Sequence, residues 1–178
     1  SVSVESGRRI AEAFERADLV GAVGYVERCN PALVEMRRRI AQGQLGEVYQ
    51  IVTRRQSPFP ARISDVGVVK DLATHDVDLA SWVVGAPYEM VFAQVGYRSG
   101  RVHEDLLLAS GRFANGVLVN HQVNWLTPYK DRTTIVIGEH GALVADTAMG
   151  DLSFYENGSS PLQWEQIAAF RGVSEGTV

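Results

Sequence analysis

The sequence predicts an α+β fold, an open and mostly antiparallel sheet with helices on one face. Three observations carry this. Apolar residues recur at helical spacing in the segments before Gly85. From residue 88 to residue 156 the period changes to two. Short turn signals such as Asn115-Gly116 then join one alternating segment to the next. Helices followed by a run of hairpin-linked strands build layers rather than alternating βαβ units.

Residues 5–18 read as the first helix, with Ile10, Ala13, Phe14 and Ala17 on its apolar side. Leu19 to Val26 is a short apolar run containing Gly21 and Gly24, and it reads as a buried strand. Asn30-Pro31 opens the second helix, because Asn caps free amides and Pro is tolerated at the first helical position. That helix runs through Leu33, Met36 and Ile40 and stops at Gly43. Gly46 to Arg54 alternates and reads as a strand, and residues 55–66 form a loop with Pro58 and Pro60. The third helix spans about Val68 to Val84, closed by Gly85 and Pro87.

Residues 88–98, 104–113, 116–126, 131–138, 141–146 and 151–156 read as strands. Ala114-Asn115-Gly116 and Glu139-His140-Gly141 are hairpin turns, which gives an antiparallel meander. The stretch 165–178 is too short to assign.

The chain has 178 residues, 46% of them hydrophobic, enough for one well-buried domain with a fragment of another. A net charge of -4 argues against a nucleic-acid partner, since such domains are usually basic. Cys29 is the only cysteine, which rules out an intrachain disulfide and a thiolate zinc cluster. Its simplest role is that of a small buried residue. A reducing, cytoplasmic setting fits. No apolar run approaches the roughly 20 residues of a bilayer span, so no membrane partner is expected. The chain opens at Ser1, without a methionine, on an acidic amphipathic helix, and reads as an internal fragment of a longer protein.

Chemistry concentrates in Asp71-Leu72-Ala73-Thr74-His75-Asp76-Val77-Asp78. On a helix Asp71 and His75 stand one turn apart on one face, and Asp78 follows a turn later. An imidazole beside a carboxylate is a proton acceptor with a group to orient it. The same spacing also suits an ion pair on a solvated face. With one histidine and no thiolate near, Asp76 and Asp78 do not make a metal site, and Asp78 suits a cap or an arginine partner. The chain holds no Gly-x-Gly-x-x-Gly, no Walker loop, no Gly-x-Ser-x-Gly and no His-Glu-x-x-His. Gly21-Ala22-Val23-Gly24 has the wrong spacing to cradle a pyrophosphate.

Three stretches share a resemblance. They are Tyr25-Val26-Glu27-Arg28-Cys29-Asn30-Pro31, the helix Gly67 to Asp78 with its Asp-x-x-x-His-x-x-Asp pattern, and Asn124-Trp125-Leu126-Thr127-Pro128-Tyr129-Lys130-Asp131-Arg132. In order and spacing they resemble the Gfo/Idh/MocA oxidoreductases. With Asp65-Val66-Gly67-Val68, the third stretch looks most like the UDP-N-acetylglucosamine 3-dehydrogenase branch. The resemblance covers about residues 1–158. It implies that residues 1–24 are the tail of a nucleotide-binding (Rossmann) domain and residues 25–178 a substrate-binding and oligomerisation domain. The family's Glu-Lys-Pro motif, with its catalytic lysine, and the glycine-rich cofactor loop would then precede Ser1.

The resemblance implies oxidation of a sugar or cyclitol hydroxyl, with hydride passing to NAD or NADP. His75 would be the base, and Asp71 would fix its tautomer or hold a substrate hydroxyl. Arg54, Arg55 and Arg62 beside the Pro-rich loop suit the diphosphate of a nucleotide sugar, and equally a solvated loop with rim charges. Asn124, Trp125 and Lys130 lie at a strand end where a loop could meet substrate, although a Trp there is more often core or interface than sugar platform. Tyr25, Glu27, Arg28 and Asn30 are candidates for the cleft wall. Lys70 reads as a surface lysine, and His103, His121 and His140 as structural or surface residues. The open sheet face implies a homo-oligomer, at least a dimer. An inositol or simple-sugar dehydrogenase domain, or a binding module without chemistry, are the alternatives. In every case the isolated chain is expected to be inactive and not to bind NADH.

Overall fold

The computed structural model describes residues 3–158. Helix α1 (Val4–Arg16) starts at Ser3, whose hydroxyl accepts from the Ser6 amide while the Ser6 hydroxyl accepts from the Ser3 amide. Helix α2 (Pro31–Ala41) starts at Asn30, whose side-chain oxygen accepts from the Ala32 amide at 3.0 Å. Helix α3 (Thr74–Val84) ends at Gly85, where φ is 73° and the amide reaches the Ser81 carbonyl. Ahead of α3, Val69–Ala73 is a single π turn, so the helix expected over 68–84 comes in two pieces. A 3-10 turn at Val26–Cys29 leads into α2.

The strands are β1 (Val48–Pro58), β2 (Tyr88–Gly96), β3 (Leu106–Phe113), β4 (Leu118–Asn124), β5 (Leu126–Gly138), β6 (Gly141–Asp146) and β7 (Asp151–Glu156). They form one sheet in the order β2-β3-β4-β1-β5-β6-β7. Every pairing is antiparallel except β1 with β4. The sheet is thus open and mostly antiparallel, as expected, but not a simple meander, because β1 separates β4 from β5. The chain passes from β4 to β5 around the end of β1, where Gln56 is opposite Asn124 and Pro58 opposite Leu126. Pro58 has no amide to continue the ladder, which ends there.

Two further expectations fail. Leu19 to Val26 is not a buried strand but irregular chain, with Val20 95% exposed. Among the described residues no strand pairs with it and no apolar layer covers it. Cys29 is exposed, because the 3-10 turn buries none of its residues. The stretch 165–178 lies outside the described residues.

Alternation along the strands sets the two faces. Ile51, Thr53 and Arg55 of β1, Val119, His121 and Val123 of β4, and Thr134 and Val136 of β5 turn toward the helices and are buried. The main core joins Leu33 and Met36 of α2 with Leu79 and Val83 of α3, and with Ile51, Phe113 and Val136 of the sheet. A second core lies under the π turn, where Val68 and Leu72 meet Leu107, Val123 and Trp125. The opposite face has no helix among the described residues and exposes Met90, Phe92, Leu108 and Leu118.

Candidate active site

The start of α3 is fastened at three consecutive residues. Asp76, 2% exposed, accepts from Nε of Arg55, itself 3% exposed, at 2.7 Å. The Arg55 Nη1 also donates to Glu27 of the 3-10 turn at 2.8 Å. The Val77 carbonyl accepts from the Tyr88 hydroxyl at 3.3 Å. Asp78 accepts from Arg28 through both oxygens, with Nε to Oδ2 at 2.8 Å. Glu27 and Arg28 therefore tie the turn before α2 to the helix that carries His75. Burial pushes the Asp76 carboxyl above its ordinary value, and the Arg55 guanidinium acts in the opposite direction.

Behind Tyr88 lies a buried polar relay. Thr53 and His121 are directly opposite across the parallel β1–β4 pair, with Oγ1 and Nδ1 2.7 Å apart. The His121 Nε2 lies 2.8 Å from the Tyr88 hydroxyl. One tautomer satisfies all three bonds: Thr53 donates to Nδ1, Nε2–H donates to Tyr88, and Tyr88 donates to Val77. Burial lowers the His121 imidazole to about 4, so the ring is neutral, and burial raises the Tyr88 phenol. His121 and Tyr88 wall a mostly apolar cavity of about 600 Å³ between α3 and strands β2 to β4, which Val77, Ser81 and Leu107 also line.

His75 sits at the second position of α3, half-buried, and neither ring nitrogen is hydrogen-bonded to another described residue. Asp71 lies in the π turn, and no hydrogen bond joins it to His75. The π turn begins where the Val69 amide donates to the Glu104 carboxylate at 3.1 Å, over Gly67, whose missing Cβ leaves room for that carboxylate.

The expected substrate contacts do not converge. Arg54 points to the sheet face away from the helices, where its Nε lies 3.3 Å from Asp131. Arg62 is exposed on the loop after β1. That loop is held by Arg101, which lies over the Phe59 and Trp125 rings and donates to the Ile63 carbonyl at 3.2 Å. Trp125 is 3% exposed and belongs to the second core, so its ring is no sugar platform. Asn124 accepts from the Leu126 and Thr127 amides and shapes the turn into β5. Lys130 does line a cleft of about 390 Å³, together with Glu27, Asn30 and Arg132.

Sequence reasoning placed Arg55 beside a substrate diphosphate, whereas it is buried with Asp76 and Glu27, and it missed the His121–Tyr88 bond and the position of Arg132. The signal for Arg55 was present in the alternation Ile51, Thr53, Arg55, which turns Arg55 inward with its apolar neighbour. The same step of two from Val136 through Thr134 reaches Arg132. Among the described residues no cluster of three His, Cys, Asp or Glu is set to hold a metal. No helix among them is long and apolar enough to cross a membrane.

A family model described as the GFO/IDH/MocA C-terminal domain matches residues 33–144. The chain belongs to the GFO/IDH/MocA family. Within that family it is similar to inositol 2-dehydrogenase 2 of Saccharopolyspora erythraea, 28% identical over 67% of this chain and 37% of the relative. It is similar to the scyllo-inositol 2-dehydrogenase (NAD(+)) of Bacillus subtilis, 26% identical over 83% of this chain and 46% of the relative. The UDP-N-acetylglucosamine 3-dehydrogenase of Acidithiobacillus ferrooxidans is 33% identical over 65% of this chain and 35% of the relative. The chain thus spans less than half the length of these relatives. Among solved structures, the WlbA dehydrogenase from Bordetella pertussis in complex with NADH and UDP-GlcNAcA matches with a TM-score of 0.77 at 25% identity. That match covers 88% of this chain and 50% of the other.

Proposed function

We propose that this chain is the substrate-binding part of an NAD(P)-dependent dehydrogenase that oxidises a sugar hydroxyl, with a UDP-amino sugar as substrate. One observation carries the reading. His75 has neither ring nitrogen bonded to another described residue, on a helix fastened at the three residues that follow it. A neutral imidazole so held accepts the hydroxyl proton of a bound alcohol. Asp71, with no bond to His75, takes the second of its expected roles and receives a substrate hydroxyl. Lys130 reaches the same substrate from β5.

The nicotinamide cofactor, NAD or NADP, supplies the hydride acceptor when bound. The described residues contain no glycine-rich turn between a strand and a helix, so they do not cradle its diphosphate. We assign that task to a nucleotide-binding half outside this chain, of which residues 1–24 are the tail. Helix α1 buries none of its residues, and Ile10, Phe14, Leu19 and Val23 line an open apolar groove that suits such a half. The helix-free sheet face is the proposed homo-oligomer surface.

A cyclitol is the second reading, because inositol dehydrogenases stand among the relatives. Turnover of UDP-N-acetylglucosamine and of myo-inositol by the full-length protein with NAD or NADP decides between them. The proposal expects nicotinamide reduction with the nucleotide sugar. Turnover of myo-inositol alone replaces the substrate class, and no turnover with either compound ends the enzyme reading.

A further inference from the structure

Arg132 is a charged side chain with no hydrogen-bonded partner among the described residues. It lies directly opposite Arg55 across the β1–β5 pair, on the helix-covered face. Like charges in that position repel. Arg55 takes both nearby carboxylates, Glu27 and Asp76. Arg132 forms no ion pair or side-chain hydrogen bond with any described residue, and its buried Nε has no acceptor. A half-buried guanidinium with a cation opposite and no bonded anion is costly for folding alone. Burial, first, and the Arg55 charge lower its basicity by more than the unbonded carboxylates Glu27, Asp76 and Asp71 raise it. Its environment is nevertheless a concavity: Arg132 lines the cleft of about 390 Å³ with Lys130 and Asn30. Asn30 is fixed there from both ends, its oxygen capping α2 and its nitrogen donating to the Thr147 carbonyl at 3.1 Å.

We infer that Arg132, with Lys130 beside it, forms an oxyanion-binding subsite that receives a phosphate or carboxylate group of the substrate. An oxyanion there supplies the acceptor that Arg132 lacks and offsets the Arg55–Arg132 repulsion. The planar guanidinium takes two oxygens at once, and the flexible lysine adds a point charge. Arg132 thereby takes the part expected of Arg54, which lies on the other face. The inference rests on the dehydrogenase reading only for the identity of the ligand.

The test uses the 178-residue chain labelled with nitrogen-15 and titrated with UDP, glucuronate or myo-inositol to millimolar concentration. The Arg132 Nε–H resonance is followed, identified by its loss in Arg132→Gln. UDP, glucuronate or both shift it saturably, and myo-inositol does not. A response to UDP alone assigns the site to a diphosphate, and a response to glucuronate alone to a uronate carboxylate. Arg132→Gln weakens binding, read on the Asn30 amide, by about tenfold or more. Arg132→Lys, which keeps the charge, weakens it less and serves if the Gln variant does not fold. An Arg132 resonance unmoved by both anions, or anion binding unchanged in the variant, overturns the inference. Neither result depends on sugar oxidation, so loss of the dehydrogenase reading leaves this test intact.

Discussion

Arg54 and Arg55 are adjacent in the chain and lie on opposite faces of the sheet. Arg55 is sealed beneath α3 with two carboxylates, whereas Arg54 keeps a single long contact to Asp131 on the helix-free face. The two faces differ in the same way throughout. The helix-covered face carries the sealed Arg55 cluster and the Thr53–His121–Tyr88 relay within a packed core. The other face presents exposed apolar side chains and exposed charge, such as Arg112 with Glu89. One step along β1 thus separates a residue that holds His75's helix in place from one that does not.

The largest effect expected from breaking this contrast is Arg55→Met. It leaves Glu27 and Asp76 without their cation, and loss of one partner from a buried pair costs about 3–5 kcal/mol. Urea unfolding measures it. A loss of less than about 1 kcal/mol, the range of a surface pair, would mean that the cluster does not hold the fold.

The relay gives the next effect. His121 titrates near 4 in the folded chain and near its ordinary 6.5 when unfolded, so the unfolded chain takes up the proton first. The stabilisation is complete above the ordinary value and declines as pH falls toward 4. The loss is about 3 kcal/mol. Unfolding at a series of pH values reads it, and His121→Gln should lack that part of the decline.

On the helix-free face, Phe92→Glu places a charge at a ring that is 66% exposed in the single chain. If that face joins two copies, sedimentation should show weaker assembly by about 2 kcal/mol or more. Unchanged assembly would move the interface elsewhere. The smallest effect is that of Arg54→Met, below about 1 kcal/mol in the same urea experiment.

Much of the fold was legible because local chemistry agreed with tertiary structure. Asn30-Pro31 starts a helix, Gly85 ends one, and Asn115-Gly116 turns a hairpin in the sequence as in the structure. The position of β1 between β4 and β5 was not legible, since parallel pairing joins residues far apart in the chain and leaves no turn signal. Leu19 to Val26 misled for a different reason: an apolar run reads as buried, but burial needs a partner layer. In the site, the Asp71 and His75 positions follow from spacing, yet the π turn between them changes the step from one to the other. Arg132 escaped notice because an unpaired charge is visible only once its neighbours are placed.

The central claim is that His75 takes a proton from a substrate hydroxyl, and its most direct test is His75→Asn in the full-length protein. Nicotinamide reduction is followed across pH with the sugar that the unaltered protein oxidises. The account predicts a fall in kcat of about 10²- to 10⁴-fold, and loss of the base limb of the pH–rate profile. An unchanged kcat with an unchanged profile would contradict it.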